Sequence, residues 1–359
     1  MTKKIRFTLL ALVATVVLAG ASNAMAAYKP TFVARADSQQ LSGGGGNGMT
    51  FRVSVPRDDD ATAKVTLYVP QGYGGILDKA PGTNLGPVSA QVIAKALGGA
   101  LLPLTGNVIS ADPNAPASVN NLCSPGVHDA VWNLVLTAAG QTLNVPVYLD
   151  TIEEGPEVAF AKFKMQICLP SPDVPPAMGG ATFGAKLIFA QFSVKNVFNN
   201  PTARGENVFR GIFTPYVPGG GTVNAAGTVE ARSSVRLPSQ LSLSAVVNQR
   251  TGVVTIRGSL TEFNVGLAGQ KVKLRLGTTP KGVKIIRTLT TNASGNYAAT
   301  LRLKKGQTRF LRTDVFVPVR DNTAAGCAGT SLAPAGCVTA TRPSFTLENL
   351  RVIKISRRK

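Results

Sequence analysis

Residues 271–276 have the sequence Lys-Val-Lys-Leu-Arg-Leu, in which cationic and aliphatic residues alternate without interruption. Successive side chains of a β-strand point to opposite faces of the sheet. This segment is therefore predicted to bury its aliphatic residues and to expose Lys271, Lys273 and Arg275. Residues 297–303 alternate in a similar way and follow the turn-forming run Asn-Ala-Ser-Gly-Asn at 292–296. The two segments indicate antiparallel strands of a sheet that has one solvated face.

Short alternating segments recur through the rest of the chain. In its last third they predict strands at 241–247, 253–260, 271–276, 283–290, 297–303, 313–319 and 345–355, which is typical of a Greek-key sandwich. Residues 131–149 predict a hairpin with Trp132 in the core, whereas residues 87–98 fit a strand or a short helix. The predicted fold is all-β, with antiparallel Greek-key β-sandwich domains at 27–237 and 238–359. If the three glycines at 219–221 divide the first of these domains, the chain has three domains.

Residues 1–26 have the features of a secretory signal peptide. Three basic residues precede an apolar stretch at 7–20, and Ala-Met-Ala at 24–26 supplies the small-residue cleavage pattern. The apolar stretch is shorter than the roughly 20 residues that a membrane-spanning helix needs. We expect a mature chain that is secreted or held at the cell surface without a transmembrane anchor.

The four cysteines are expected to form disulfides, because an exported chain folds in an oxidising compartment. Three pairings are possible. Cys123–Cys168 and Cys327–Cys337 are favoured because each pair then lies within one predicted domain. A zinc site is the alternative, but structural zinc needs four clustered ligands, and the chain has no Cys-x-x-Cys and a single histidine.

The positive charge is concentrated in the last third of the chain. Residues 28–235 contain 14 Lys plus Arg and 14 Asp plus Glu, whereas residues 236–359 contain 21 and 4. A net charge of +17 on that segment exceeds the magnitude of about 2–8 that is common for a small soluble domain. The asymmetry indicates a local anionic partner.

A candidate anion-binding site follows from the alternating strands. Lys271, Lys273 and Arg275 project together from one strand, and the cations at the end of another are Arg302, Lys304 and Lys305. If the two strands share a sheet, the six cations form one patch, which the basic run at 357–359 would extend. The alternative is that these cations serve solubility and protect strand edges. No aromatic residues alternate with the cations, so base stacking and sequence-specific nucleic-acid binding are not predicted.

Candidate catalytic and metal-binding residues are few. The only histidine, His128, is followed by Asp129, and adjacent residues on a strand point apart, so the pair does not predict a catalytic triad. Glu153, Glu154 and Glu157 flank a Gly-Pro turn and are interpreted as solvated charges. The Asp triplet at 58–60 lacks the ligand spacing of a calcium loop, and the glycine-rich run at 43–48 lacks a phosphate-loop pattern. These observations predict a protein without catalytic activity, metal or cofactor.

Three segments carry a resemblance to known domains: Val-Thr-Ile-Arg-Gly at 254–258, Ala-Gly-Gln-Lys-Val at 268–272 and Thr-Asn-Ala-Ser-Gly-Asn-Tyr at 291–297. They resemble the bacterial immunoglobulin-like and carboxypeptidase-regulatory-like domains of surface proteins, and this implies a β-sandwich without specifying a ligand. The layout of the whole chain is similar to that of exported bacterial proteins that have no assigned activity. Residues 51–69 also resemble exported copper-handling β-domains, which use a histidine at the mature N-terminus that this chain lacks.

The sequence thus predicts a non-catalytic envelope protein, structural or adhesive. Its basic C-terminal domain would bind an anionic cell-wall polymer or an acidic polysaccharide. The alternative is an exported hydrolase or metal-handling N-terminal domain that carries an appended binding module.

Overall fold

The computed structural model describes residues 28–42, 47–138, 140–349 and 352–359. The predicted signal peptide at 1–26 and most of the glycine-rich run at 43–48 lie outside these residues. The chain is all-β, as predicted. Within these described ranges, helices are limited to α1 (Pro116–Val119), α2 (Thr323–Gly326) and short 3₁₀ turns at Lys95–Leu97, Pro156–Ala159, Pro176–Met178, Thr182–Gly184 and Ala225–Gly227. In the part of the chain that is described, no helix has the length and apolar character needed to cross a membrane.

One large antiparallel sheet forms the N-terminal domain. Its strands are β1 (Thr31–Ala36), β2 (Asn47–Ser54), β3 (Thr62–Pro70), β4 (Gly74–Gly75), β5 (Asn84–Ala94), β6 (Ala100–Ala111), β7 (Ala130–Ala138), β8 (Gln141–Thr151), β9 (Ala161–Cys168), β10 (Ala185–Asn199), β11 (Gly205–Pro215) and β12 (Val229–Leu237). Their order across the sheet is β1-β2-β10-β5-β6-β7-β8-β9-β3-β11-β12, with β4 paired to β10. Several neighbours are therefore distant in the sequence, as crossover connections require.

The sheet folds back on itself so that its inward faces enclose one apolar core. Its two ends meet where the amide of Ala34 on β1 donates to Ser233 Oγ on β12 at 3.0 Å. Phe51 on β2 packs against Phe209 on β11 across the core, with ring centroids 6.4 Å apart. Trp132 is fully buried in the same core, as predicted. Residues before and after the three glycines at 219–221 contribute to this one core.

Local predictions in this domain are confirmed in their main features. The predicted hairpin at 131–149 is the antiparallel β7–β8 pair, in which Ala138 lies opposite Gln141. The ambiguous segment at 87–98 contains both alternatives, because β5 runs to Ala94 and a 3₁₀ turn follows at Lys95–Leu97. This turn ends at Gly98, whose φ of 68° lies in the left-handed region that glycine adopts readily.

The remaining strands begin directly after β12. They are β13 (Ser239–Leu241), β14 (Ser244–Val247), β15 (Val253–Glu262), β16 (Val265–Gly266), β17 (Lys271–Gly277), β18 (Lys284–Thr290), β19 (Asn296–Arg302), β20 (Thr308–Val317), β21 (Arg320–Asp321), β22 (Cys337–Arg342), β23 (Phe345–Glu348) and β24 (Ile353–Ser356). Strands β13 to β16 and β19 form one sheet, and β17, β18, β20, β23 and β24 form a second. The two sheets enclose a second apolar core that includes Ile256, Leu274 and Val315, so the C-terminal domain is a sandwich.

Strands β21 and β22 leave the sandwich and join the large sheet. The prediction placed all of residues 238–359 in one domain; instead, β22 pairs in parallel with β12 and thereby covers the edge of the N-terminal sheet. Both predicted disulfides are present, Cys123–Cys168 and Cys327–Cys337. The second closes the loop between β21 and β22, and therefore belongs to the segment that returns to the first domain.

Ion pairs around the buried Glu262 connect the two domains at this return. Glu262 on β15 of the sandwich accepts from Arg320 Nη2 at 2.9 Å, and Arg342 Nη1 lies 3.8 Å from the same carboxylate. Arg342 Nη2 lies 3.7 Å from Glu206 on β11, which also pairs with Arg236 at 2.7 Å. Charges of opposite sign thus alternate across the contact between the sandwich and the large sheet.

Candidate anion-binding site

The six cations predicted to form one patch are divided between two sheets. Lys271, Lys273 and Arg275 lie on β17, whereas Arg302 ends β19, which pairs with β15 in the other sheet of the sandwich. Lys304 and Lys305 follow Arg302 in the turn to β20. The two strands therefore do not share a sheet, which was the condition for a single patch. Alternation within a strand determines which face a residue occupies, but not which sheet the strand joins.

The outer face of β17 carries carboxylates as well as cations. Arg275 pairs with Asp314 on β20, and this hydrogen bond raises the pKa of the guanidinium above its ordinary value. Arg312, opposite Arg275 in the register, pairs with Glu348 on β23. Lys273 lies opposite Asp314, and Lys271 Nζ donates to Thr290 Oγ1 at 2.8 Å. This face has mixed charge and is a weaker attractor of polyanions than the sequence indicated.

A denser group of cations lies at one end of the sandwich, where three segments meet. These are the β14–β15 turn at 248–252, the β19–β20 turn at 303–307 and the residues that follow β24 at 357–359. We call the cations gathered there the basic end: Arg250, Arg302, Lys304, Lys305, Arg357, Arg358 and Lys359. All of them except Arg357 are exposed.

Hydrogen bonds to main-chain atoms hold the three segments together. The Arg357 guanidinium donates to the carbonyl oxygens of Arg250 at 2.7 Å, Leu303 at 3.1 Å and Gln249 at 3.2 Å. In return, the amide of Arg358 donates to Gln249 Oε1 at 2.9 Å. These bonds use the half-buried Arg357 as a brace, so that the cations on either side of it are presented together in water.

Within the described residues, no carboxylate forms an ion pair with any member of the basic end. Three of the four acidic residues in the last third of the chain, Glu262, Asp314 and Glu348, are already paired with arginines elsewhere. The fourth, Asp321, accepts hydrogen bonds from the hydroxyl and amide of Thr323, which lower the pKa of its carboxyl group. The positive field of the basic end is therefore not neutralised locally.

The sequence identified part of this site. It placed Arg302, Lys304 and Lys305 together and named the basic run at 357–359 as an extension. Arg250 was missed, because it lies in a turn about 50 residues before Arg302 and its own neighbours Gln249 and Thr251 are uncharged. The only local signal for Arg250 is the turn formed around Asn248, whose side-chain oxygen accepts from the amides of Arg250 and Thr251.

His128 occupies a structural position. Its Nδ1 lies 2.8 Å from Asp150 Oδ1, and its Nε2 lies 2.7 Å from the carbonyl oxygen of Ser124. The Ser124 hydroxyl donates instead to Gln166 Oε1 at 2.8 Å. Asp129 accepts from the amide of Thr151 and does not orient the histidine. Both ring nitrogens are engaged, so the geometry is that of a buried anchor and not of a general base beside a serine.

Two of the candidate carboxylates, Glu157 and Asp59, are also held by neighbouring protein groups. Glu157 accepts from the Tyr68 hydroxyl at 2.5 Å and from Lys164 at 3.1 Å. Burial first, and this carboxylate second, raise the pKa of Tyr68 above its ordinary value. Asp59 accepts from the amide of Lys29 at 2.6 Å. Across the described ranges, no group of three or more His, Cys, Asp or Glu residues is placed to hold a metal ion.

No family model and no curated protein matches the chain. Among solved structures it is similar to the "D0-D1 domain of Intimin" at 8% sequence identity, with 88% of this chain and 96% of that chain covered and a TM-score of 0.19. A similarity of this extent carries no conclusion about function.

Proposed function

We propose that this is an exported, non-catalytic protein of the cell envelope with a structural or adhesive role. The basic end of its C-terminal sandwich binds an anionic polymer, either a cell-wall polymer or an acidic polysaccharide. The N-terminal domain, which has no net charge in residues 28–235, is then free to meet a second partner.

The observation that supports this proposal is the convergence of cations from three segments at one end of the sandwich. Ordinary surface lysines are interspersed with carboxylates, as on the outer face of β17. At the basic end, residues 244–261, 302–313 and 352–359 contain no Asp or Glu at all. Such an arrangement attracts a repeating anion because neighbouring charges of the polymer meet several cations at once.

A non-catalytic role is supported by the positions of the titratable groups. His128 is engaged on both ring nitrogens, and Glu157 is bonded to a tyrosine and a lysine. An active site needs such groups to face a cleft with an acceptor or donor free for substrate. The disulfides Cys123–Cys168 and Cys327–Cys337 support export, because such bonds persist in oxidising compartments.

The proposal is tested by measuring equilibrium binding of the purified protein to polygalacturonate, polyglycerol phosphate and neutral dextran. We expect binding to one or both anionic polymers at about 0.05 M salt, and its loss at about 1 M salt, where screening acts over roughly 3 Å. Dextran should not bind at either concentration. Failure to bind both anionic polymers at low salt, or binding that salt leaves unchanged, contradicts the proposal.

A further inference from the structure

The N-terminal domain encloses a cavity of 290 Å³ within its apolar core. Side chains from the inward faces of β2, β3 and β5 to β10 line it, together with residues of the connection from β9 to β10. Protein cores are close-packed, and voids larger than a water molecule are few in any domain. A space of this size is therefore a feature of the fold that needs a physical reason.

Alanines create the space. Ala90 on β5 lies directly opposite Ala190 on β10 in the strand register, and both line the cavity. The other neighbour of Ala90 across the strands is Leu104, which also lines it. Ala61, Ala181 and Ala185 contribute further short side chains. Where two neighbouring strands both present a methyl group to the core, the volume that larger side chains would fill remains open.

The lining changes from one end of the cavity to the other. Phe51, Leu67 and Leu104 are almost completely buried, whereas Leu143 and Leu187 line the same space and are only half-buried. Water therefore reaches apolar side chains through one end. The polar lining residues are few, namely Thr62, Asn144, Thr182 and Lys186. The Lys186 ammonium donates to the carbonyl oxygen of Arg57 at 2.8 Å, so this cation is already held by main chain.

The wall at the open end has a defined structure. It includes Pro170, Pro172 and Ala181 of the connection between β9 and β10, which begins at the disulfide-bonded Cys168. The amide of Ala181 donates to the carbonyl of Ser171 at 2.8 Å, which closes this connection on itself. The Ser171 hydroxyl donates to the carbonyl of Gly220 at 2.9 Å, which ties it to the turn after β11. Prolines, a disulfide and these bonds keep the wall in place.

We infer that this cavity is a binding site for an apolar small molecule with the chemistry of a medium-length acyl chain. An apolar cavity of about 150 Å³ stays dry and admits benzene. At 290 Å³, the present cavity is close to the lower end of the range for ligand pockets, roughly 300–1,000 Å³. An aliphatic chain would cover the half-buried leucines, and a polar head would remain at the open end. This site does not depend on the proposed polymer binding, which involves the other domain.

The test uses N-phenyl-1-naphthylamine, an uncharged dye that fluoresces in apolar surroundings. A sulfonated dye would be unsuitable, because the basic end would attract it. We expect saturable binding to the full chain and displacement by primary alcohols. Affinity of the alcohols should rise about fourfold for each added methylene from hexan-1-ol to decan-1-ol, as burial of that group predicts. Absence of saturable dye binding overturns the inference.

Cavity-filling variants locate the site. Ala90→Phe and Ala190→Phe should each weaken dye binding at least roughly tenfold, because the ring occupies the ligand's volume. Ala80→Phe adds the same ring at an exposed position and should leave binding unchanged. Unchanged binding in a cavity variant that still unfolds cooperatively overturns the inference. If both cavity variants fail to fold, the wild-type protein decides: decan-1-ol must displace the dye and raise the melting temperature, and failure of either contradicts the site.

Discussion

The guanidinium of Arg357 donates to the main-chain carbonyl of Arg250 at 2.7 Å, although the two residues are separated by 107 positions in the chain. Through this bond, and two more to the carbonyls of Leu303 and Gln249, one arginine joins the three segments that form the basic end. The half-buried Arg357 thus holds together the segments that carry its exposed cationic neighbours. The arrangement of the basic end therefore depends on hydrogen bonds to main-chain carbonyls, and counting charged residues in the sequence does not predict these bonds.

Replacement of Arg357 by methionine should loosen the basic end without unfolding the protein. Methionine keeps much of the aliphatic stem but donates no hydrogen bonds, so three main-chain carbonyls lose a partner. We expect faster amide hydrogen exchange in residues 248–252 and 303–307. We also expect a larger loss of polymer affinity than the removal of one exposed cation causes. The same substitution at exposed Arg302 is the control. Equal effects of the two substitutions would show that Arg357 does not act as a brace.

Among the carboxylates of the N-terminal domain, Glu230 is expected to cause the largest loss of stability when it is replaced. Its side chain is 0% exposed and accepts from Arg232 Nε at 2.6 Å, the Ser331 hydroxyl at 2.9 Å and the Leu332 amide at 2.8 Å. Glu230→Gln should lower the free energy of unfolding by about 2–4 kcal/mol, because the partner arginine loses its counter-charge. Denaturant titration measures this change. Glu153→Gln, on an exposed loop, should change it by less than about 0.5 kcal/mol.

The same carboxylate predicts a pH dependence. Burial alone would raise the pKa of Glu230, but hydrogen bonds and charge from Arg232, with those from Leu332 and Ser331, outweigh burial and lower it. A group with a lowered folded-state pKa stabilises the protein fully above its ordinary pKa, near 4.3, and loses this contribution as the pH falls through the lowered value. The stability difference between wild type and Glu230→Gln should therefore shrink below about pH 4. A stability difference that is constant from pH 7 to pH 3 would contradict a lowered pKa for Glu230.

The two disulfides should differ in their contributions to stability. Cys123–Cys168 spans 45 positions and Cys327–Cys337 spans 10. In the chain-entropy account, closing the longer loop stabilises by about 4 kcal/mol and the shorter by about 2–3 kcal/mol. Paired Cys→Ser variants compared by denaturant titration test the order of the two effects. A larger loss for the 327–337 pair would mean that native contacts of this loop, such as those of Arg232 with its carbonyls, outweigh chain entropy.

Patterns within a single strand predicted much of the fold. The alternation at 271–276 correctly identified β17, and the hairpin at 131–149 and the buried Trp132 were also confirmed. These features depend on neighbours in the sequence, where burial of one face sets a period of two. The disulfide pairing was confirmed as well, although the reason given for it, one pair in each domain, does not describe where the 327–337 loop lies.

Long-range pairing could not be predicted from such patterns. Residues 321–343 lie between the predicted strands at 313–319 and 345–355 and were not predicted to contain a strand, yet β22 in this segment pairs in parallel with β12. A strand's own sequence does not name its partner, so the assignment of β17 and β19 to different sheets was equally inaccessible. For the same reason, the basic end was only partly predicted: turns that are distant in sequence meet only once both sheets are assembled.

The most direct test compares two variants that remove the same charge from different places. One carries Lys304→Gln, Lys305→Gln and Arg358→Gln at the basic end; the other carries Lys271→Gln, Lys273→Gln and Lys284→Gln on the β17–β18 side. Polymer affinity is measured for both and for the wild type at about 0.05 M salt. We predict a loss of at least roughly tenfold for the first variant, at about 1 kcal/mol for each cation at an anionic surface, and less than about threefold for the second. Equal losses would show that total charge governs binding and that the basic end is not a site.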